Sequence, residues 1–498
     1  MKNKVTLLNI ASSLLLQVVS VISGLIVPRI ILSCFGSDIN GLVSSINQFL
    51  SYITLIEGGI TGVISANLYK PLIEKNWKQV SSVLKTARSF YRKIGAIFIV
   101  YTGIIAVIYP KIVITGYEDS YIFLLTIILS IGLLLQYMFS LTMTTLLNAD
   151  KKVYIVSFAS IALTLGNIIS VLVITNLYPD IIALKFCSAA LYVLKPVVLG
   201  RYIRKRYDIN WTTPKDYALI RQRWNGFAIN FAFFIHTSTD ITILTLFSDL
   251  ETVSVYSVYY LIVSKMSVLI HSLASGIEPT IGQAYAKNDI EELHQKLDLY
   301  EFIIFFSVGF LFTVTAMLIA PFVMIYTKGI TDTDYYQPIF GAMLVVSEAL
   351  YLLKYPHVTL SYVANKFKEI TIPAYIEALI NIIVSIVLVQ KLGLIGVAIG
   401  TATGMLYRML FHVYFTSRLI PGRRQRIFYI KLLVITGATV IGILIGCSMF
   451  PLSDLSLANW LLHAIIYCFI FGVIYFVMSK IFFGKEINYF IAYIKRKL

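Results

Sequence analysis

Fourteen apolar runs, each long enough to cross a hydrocarbon layer, constrain this chain more than any other feature. A layer about 30 Å thick asks for roughly 20 apolar residues in a helix. The runs lie near 8–33, 42–66, 94–110, 121–147, 153–175, 181–200, 224–247, 254–280, 302–326, 338–362, 371–390, 394–415, 432–450 and 460–480. They lack the alternation of barrel strands, and lipid admits only helices or closed barrels. The expectation is an all-α polytopic membrane protein of about 14 transmembrane helices. Composition agrees, with 58% of the 498 residues apolar and only 13% charged. A soluble fold has no core large enough to bury that much apolar surface.

The net charge of +16 is explained by where lysine and arginine fall. With the N-terminus inside, the inner segments hold 31 basic residues and the outer loops only Lys111, Lys328 and Lys391. Positive charge accumulates on the cytoplasmic side of a membrane. The reading is therefore a multi-pass protein of the cell (cytoplasmic) membrane, with both termini inside and no nucleic-acid partner. The first run is too long for the apolar part of a cleaved signal peptide, so it is expected to remain as a span. Cys34, Cys187, Cys447 and Cys468 lie in or beside apolar runs without metal-type spacing, as small hydrophobes would. In 67–93, apolar residues from Leu68 to Tyr91 recur at helical spacing between lysines, which predicts an amphipathic helix on the inner leaflet.

Internal symmetry is common in transporters, and two stretches about 214 residues apart are alike. Asn148-Ala-Asp-Lys-Lys followed by Gly166-Asn-Ile-Ile-Ser is echoed by Ala364-Asn-Lys-Phe-Lys followed by Ile380-Asn-Ile-Ile-Val. Gly62 to Tyr69 and Gly276 to Tyr285 each precede a charged helical segment. Six spans separate the repeats, so both run in the same direction. The predicted layout is a six-helix bundle at 1–200, a linker at 201–223, a second six-helix bundle at 224–416 and an extra pair with a tail at 417–498.

The chain resembles the polysaccharide and O-antigen flippases of the multidrug/oligosaccharidyl-lipid/polysaccharide exporter superfamily. Four stretches carry the resemblance. They are Gly36-Ser-Asp-Ile-Asn-Gly-Leu through Leu55-Ile-Glu-Gly-Gly, Leu68-Tyr-Lys-Pro-Leu through Phe90-Tyr-Arg-Lys, Arg223-Trp-Asn-Gly-Phe through Val253-Ser-Val-Tyr-Ser-Val-Tyr, and Gly393-Leu-Ile-Gly-Val-Ala-Ile-Gly-Thr with Tyr407-Arg408. The resemblance implies alternating-access transport of a polyprenyl-diphosphate-linked oligosaccharide for surface polysaccharide export. It implies as partners that lipid-linked substrate, membrane lipids and other membrane proteins of polysaccharide assembly.

Ionisable groups inside a membrane are costly and default to function. Arg29 follows Pro28 toward the outside, Lys265 falls near mid-membrane, and Lys354 and Arg408 lie somewhat inside the midplane. Lys354 shares a helix face with His357, and Arg408 with His412. Cations at several depths suit an anionic diphosphate that must leave water and still be neutralised; the plainer reading is structural pairing with buried acids such as Glu57, Asp240, Glu278, Glu348 and Glu377. In the related lipid II flippases a cation site joins an Asp of span seven, an Asn/Asp pair of span eleven and a Thr of span twelve. The resemblance thus implies Asp240, Glu377, Asn381 and Thr401 as the coupling set, for a sodium ion or a proton. Two features depart from it: the pair is ordered Glu then Asn, and Asp240 counts nearer the outer surface.

No phosphate-binding glycine loop, metal-ligand cluster or nucleophile elbow appears, and no cofactor beyond the coupling ion is expected. The competing readings are a cation-coupled drug exporter of the same superfamily and a membrane glycan polymerase or acyltransferase. Twelve spans would favour the first. A large outer loop or an intramembrane catalytic His/Asp set would favour the second, and the outer loops here are short. The expected protein is not an enzyme.

Overall fold

The computed structural model describes residues 2–57, 60–113, 115–218, 227–274, 277–449 and 455–488, and among them every regular element is helical. Of the basic residues counted above, Arg221, Arg223, Lys495, Arg496 and Lys497 lie outside the described residues. Among the described residues, eleven helices are long and apolar enough to cross a membrane. Two of these, Lys4–Glu57 and Phe367–Leu419, are more than 50 residues long and are broken by glycines in non-helical conformations, Gly36 (φ 81°) and Gly393 (φ 52°). Each therefore accommodates two of the expected spans. A further helix, Phe227–Phe247, covers the seventh. The protein is an all-α polytopic membrane protein.

The chain divides into two compact units, Met1–Phe234 with Asp249–Ser254, and Ile235–Ser248 with Val255–Leu498. The first contains α1 (Lys2–Ser51), α2 (Thr54–Glu57), α3 (Ile60–Ile73), α4 (Trp77–Ile112), α5 (Asp119–Leu135), a turn of π-helix (Gln136–Ser140), α6 (Leu141–Ala149), α7 (Val153–Leu177), α8 (Ile181–Leu191) and α9 (Leu194–Arg206). Helix α10 (Phe227–Phe247) carries the chain onward. The second unit is built from α11 (Leu250–Ala274) after its first turn, α12 (Glu278–Ala286), α13 (Ile290–Tyr326), α14 (Pro338–Leu353), α15 (Tyr355–Val363), α16 (Phe367–Leu419), α17 (Gln425–Met449) and α18 (Leu457–Phe482).

The repeat is visible in the backbone. Among the described residues, four that are not glycine adopt positive φ: Lys75, Lys151, Asn288 and Asn365. Lys75 matches Asn288 and Lys151 matches Asn365, at offsets of 213 and 214 positions. Each sits in the tight turn between a short helix and the long helix that follows, where a left-handed residue ends one helix so that the next can start. The long helices α4 and α13 then begin alike. Asn76 accepts a hydrogen bond from the Gln79 amide, and Asp289 accepts one from the Glu292 amide; both are side-chain N-caps.

Residues 77–93 are not a separate surface helix. They are the first turns of α4, an unbroken 36-residue helix, about 54 Å long at 1.5 Å per residue. Val80, Leu84, Ala87 and Tyr91 are fully buried in the core of the first unit. From Val80 to Tyr91 the apolar stripe that suggested a lipid-facing helix is covered by protein, while Ile73, at the end of α3, is exposed. Its polar face holds the segment after α9: Ser81 Oγ accepts from the Asn210 amide, Ser82 Oγ donates to the Pro214 carbonyl, and Thr86 Oγ1 accepts from the Asp216 amide. In the same segment, burial and the adjacent Asp150 carboxylate raise the Tyr207 phenol well above its ordinary value.

The two halves of α16 fold onto each other at Gly393, and small residues let them approach. Gly396, Gly400 and Gly404 recur every four residues along one face. A Cβ on Gly396 would lie 2.5 Å from the Leu388 carbonyl, and one on Gly400 would lie 2.0 Å from Ser385 Oγ and 2.7 Å from its amide. This is the small-residue packing that brings membrane helices close. We expect Gly400→Val to separate the halves and reduce folded protein severalfold in size-exclusion profiles, whereas Gly437→Ala, with open space around its Cβ position, should leave the profile unchanged.

The last two helices pack on α13. Tyr475 of α18 shares hydroxyl hydrogen bonds with Thr313 (3.0 Å) and Thr439 (2.5 Å). The Trp460 indole donates to the Leu318 carbonyl at 3.1 Å. Gly309 and Gly442 lie under the rings of Tyr475 and Phe471. The pair buttresses the second unit through specific contacts on one face, while residues such as Leu433, Leu444, Ile465 and Phe469 remain exposed on the others.

Candidate functional site

Helix α14 stops at Lys354, two residues before Pro356, which has no amide hydrogen to donate and cannot continue the bonding pattern. This break places Lys354 against the hairpin of α16. Its Nζ lies 3.4 Å from Glu377 Oε1, 3.3 Å from Met405 Sδ and 4.7 Å from the centre of the Tyr351 ring. The other oxygen of the same carboxylate, Oε2, is 3.3 Å from Arg408 Nη1. Arg408 Nε donates to His412 Nε2 at 2.8 Å. Lys354, Glu377, Arg408 and His412 are all buried. Two basic side chains share one carboxylate, so the cluster holds more basic groups than acidic ones.

One turn beyond Lys354 on α15, His357 belongs to an adjoining network. Its Nε2 is 3.5 Å from Glu301 Oε1, and neither ring nitrogen makes a hydrogen bond among the described residues. Glu301 accepts from Arg423 Nη2 at 2.5 Å and from Lys431 Nζ at 2.8 Å. Asp298, one turn earlier on α13, accepts from Arg423 Nη1 at 2.8 Å and from Lys431 at 3.2 Å. Glu301, Arg423, Lys431 and His357 are buried, while Asp298 is partly exposed. The charge pattern counted Arg423 and Lys431 among ordinary loop cations. The available signal was the i, i+3 pair Asp298 and Glu301, two acids on one helix face at a span edge.

A third group joins α10 to α16. Thr401 Oγ1 donates to Asp240 Oδ1 at 2.7 Å, and the Tyr256 hydroxyl donates to Asp240 Oδ2 at 2.9 Å. Asn381 Nδ2 donates to Thr401 at 3.1 Å, and Ser385 Oγ donates to Asn381 Oδ1 at 3.3 Å. Asp240, Asn381 and Thr401 thus stand together, with Tyr256 and Ser385 as members the sequence reading did not name. Glu377 instead faces Lys354 and Arg408. Counting depth along the apolar run placed Asp240 nearer the outside, but its bond to Thr401 sets the two at one level. A side chain several ångströms long and the tilt of a helix both blur such a count.

Of the six cationic-cavity candidates, Lys354, Arg408 and His412 form one cluster and His357 adjoins it. Lys265, half-buried on α11, has no ion pair among the described residues. Arg29 lies on α1 in the first unit. The remaining acids named above, buried Glu348 and half-buried Glu278 and Glu57, accept from hydroxyls: Glu348 from Ser267 at 2.6 Å, Glu278 from Tyr300 at 2.9 Å, and Glu57 from Thr61 at 2.5 Å. Among the described residues no group of three or more His, Cys, Asp or Glu side chains is placed to hold a metal ion.

No protein-family model and no curated protein sequence matches this chain. Solved structures do. The inward-closed lipid II flippase MurJ superposes with a TM-score of 0.71 at 16% identity, over 97% of this chain and 100% of that one. An inward-facing multidrug-resistance MATE transporter superposes with a TM-score of 0.66 at 16% identity, over 81% of this chain and 96% of its own. A MATE transporter in its bent conformation gives 0.58 at 14% identity, over 88% and 97%. The α-helical chain described here therefore has the fold seen in these lipid II flippase and MATE transporter structures.

Proposed function

We propose that this protein is a flippase that moves a polyprenyl-diphosphate-linked oligosaccharide from the inner to the outer leaflet of the cytoplasmic membrane, by alternating access and without enzymatic chemistry. Both termini would then be cytoplasmic, where the basic segments meet anionic lipid. The observation that carries the reading is the buried cluster in which Lys354 and Arg408 share Glu377. A surplus cation held away from water attracts an anion, and a guanidinium can offer a phosphate two parallel donors. The diphosphate would take the Arg408 side of the cluster while Glu377 stays neutralised by Lys354. The lipid II flippase also aligns with nearly the whole chain, whereas the first MATE structure leaves about a fifth uncovered.

Coupling would reside on Asp240, Asn381 and Thr401. Their donors are oxygens of a carboxylate, a carboxamide and a hydroxyl, the hard set a sodium ion takes; alternatively the Asp240 carboxylate carries a proton. An ion drives alternation only by binding one arrangement better than the other. The test is leaflet transfer of lipid-linked glycan in vesicles containing the purified protein. Transfer should require the protein, and Asp240→Asn should abolish its response to sodium or pH while Glu348→Gln retains it. No glycan transfer, together with dissipation of a cationic-dye gradient, would replace this reading with drug export.

A further inference from the structure

The first unit contains a cavity of about 670 Å³ that none of the residues of the buried charged clusters lines. Its walls are α4, the π-turn with α6, and α9, closed on one side by the segment from Tyr207 to Trp211. The volume lies within the range of pockets that bury a small molecule. Along α9 the lining runs from Val193 to Arg204, about 16 Å at 1.5 Å per residue. That is close to the depth of one leaflet, half of a hydrocarbon core about 30 Å thick.

Polarity changes along that length as it does along a lipid. At the deep end the lining is Leu135, Met138, Phe139, Val193, Pro196 and Val197. Phe139, Val193 and Val197 are exposed at the surface of the unit, so the cavity opens sideways where acyl chains would enter. At the other end stand Arg88 and Arg204, with Asp208 as the one acid. The Arg88 guanidinium lies 4.6 Å over the Trp211 ring, and Trp is a residue that favours the headgroup level of a bilayer. Met138 and Met143 give the walls the adaptable surface that suits a flexible chain. The opening is held by the bonds that fasten residues 210–216 to Ser81, Ser82 and Thr86.

We propose that this cavity binds one anionic glycerophospholipid, its acyl chain along the α9 wall and its phosphate at Arg88 and Arg204. The occupant is a resident lipid of the leaflet that faces the basic segments, and the site is independent of the transport reading. The chain has four tryptophans, so Trp77→Phe, Trp224→Phe and Trp460→Phe leave Trp211 as the only indole. This variant, reconstituted in phosphatidylcholine vesicles, is titrated with brominated-acyl phosphatidylglycerol or brominated-acyl phosphatidylcholine while Trp211 fluorescence is followed. Phosphatidylglycerol should reach half-quenching at a roughly fivefold lower mole fraction, the factor expected for about one basic contact near a membrane surface. Arg204→Gln should remove most of that preference, and Arg201→Gln with Lys205→Gln, which alter basic residues outside the lining, should keep it. Equal quenching by the two lipids in the unsubstituted background overturns the proposal, and that comparison stands if Arg204→Gln fails to fold. Loss of the preference in the Arg201/Lys205 variant would reduce it to a diffuse surface field. Reversal by millimolar inorganic phosphate would show an anion site that takes no lipid.

Discussion

Glu301→Gln is expected to cost about 3–5 kcal/mol and to deplete folded protein, because it leaves Arg423 and Lys431 buried against a single partly exposed acid. The large effect comes from stranding charges and exceeds the net worth of the ion pairs themselves. Thermal unfolding of the purified protein, read by size-exclusion recovery, measures it. Combining Glu301→Gln with Arg423→Gln should recover part of the loss, since the double variant no longer buries the unpaired guanidinium. Equal recovery of Glu301→Gln and the parent would mean that Asp298 and water satisfy both cations. The network ties α17 to α13 and α15, so its failure should also expose the Trp460 side of α18.

The second large effect separates folding from transport within one cluster. Removing Glu377 leaves Lys354 and Arg408 without their shared carboxylate, whereas removing Arg408 leaves a neutral Lys354–Glu377 pair. Glu377→Gln should therefore lower thermal stability by several kcal/mol, and Lys354→Met in the same chain should restore much of it. Arg408→Ala should fold close to normally and still cut leaflet transfer at least tenfold, a loss equivalent to about 1.4 kcal/mol or more of differential binding. Arg408→Lys tells charge from geometry: substantial rescue means a point charge suffices, and none means the planar fork is needed. Full transfer by Arg408→Ala would leave the cluster a structural ion pair.

Much of this protein is determined by its sequence alone. The apolar runs dictate helices and their number, because a bilayer offers no solvent for an unbonded peptide group. The repeat was legible too, since the turns around Lys151 and Asn365 need similar residues wherever a helix must stop and restart. The narrow hairpin at Gly396, Gly400 and Gly404 emerged only in the fold, where those glycines meet Leu388, Ser385 and Glu377. What the tertiary structure decided is which charge meets which. Glu377 was grouped with Asn381 by resemblance, yet its carboxylate turns to Lys354 and Arg408, and only Asn381 joins Thr401 and Asp240. Lys431 was counted as a loop cation and is one of the most deeply buried side chains. The apolar stripe of α4 meets protein instead of lipid. Helical periodicity specifies the face a residue occupies, but the energy of a buried charge depends on partners from other helices within a few ångströms, and that proximity exists only once the helices have packed.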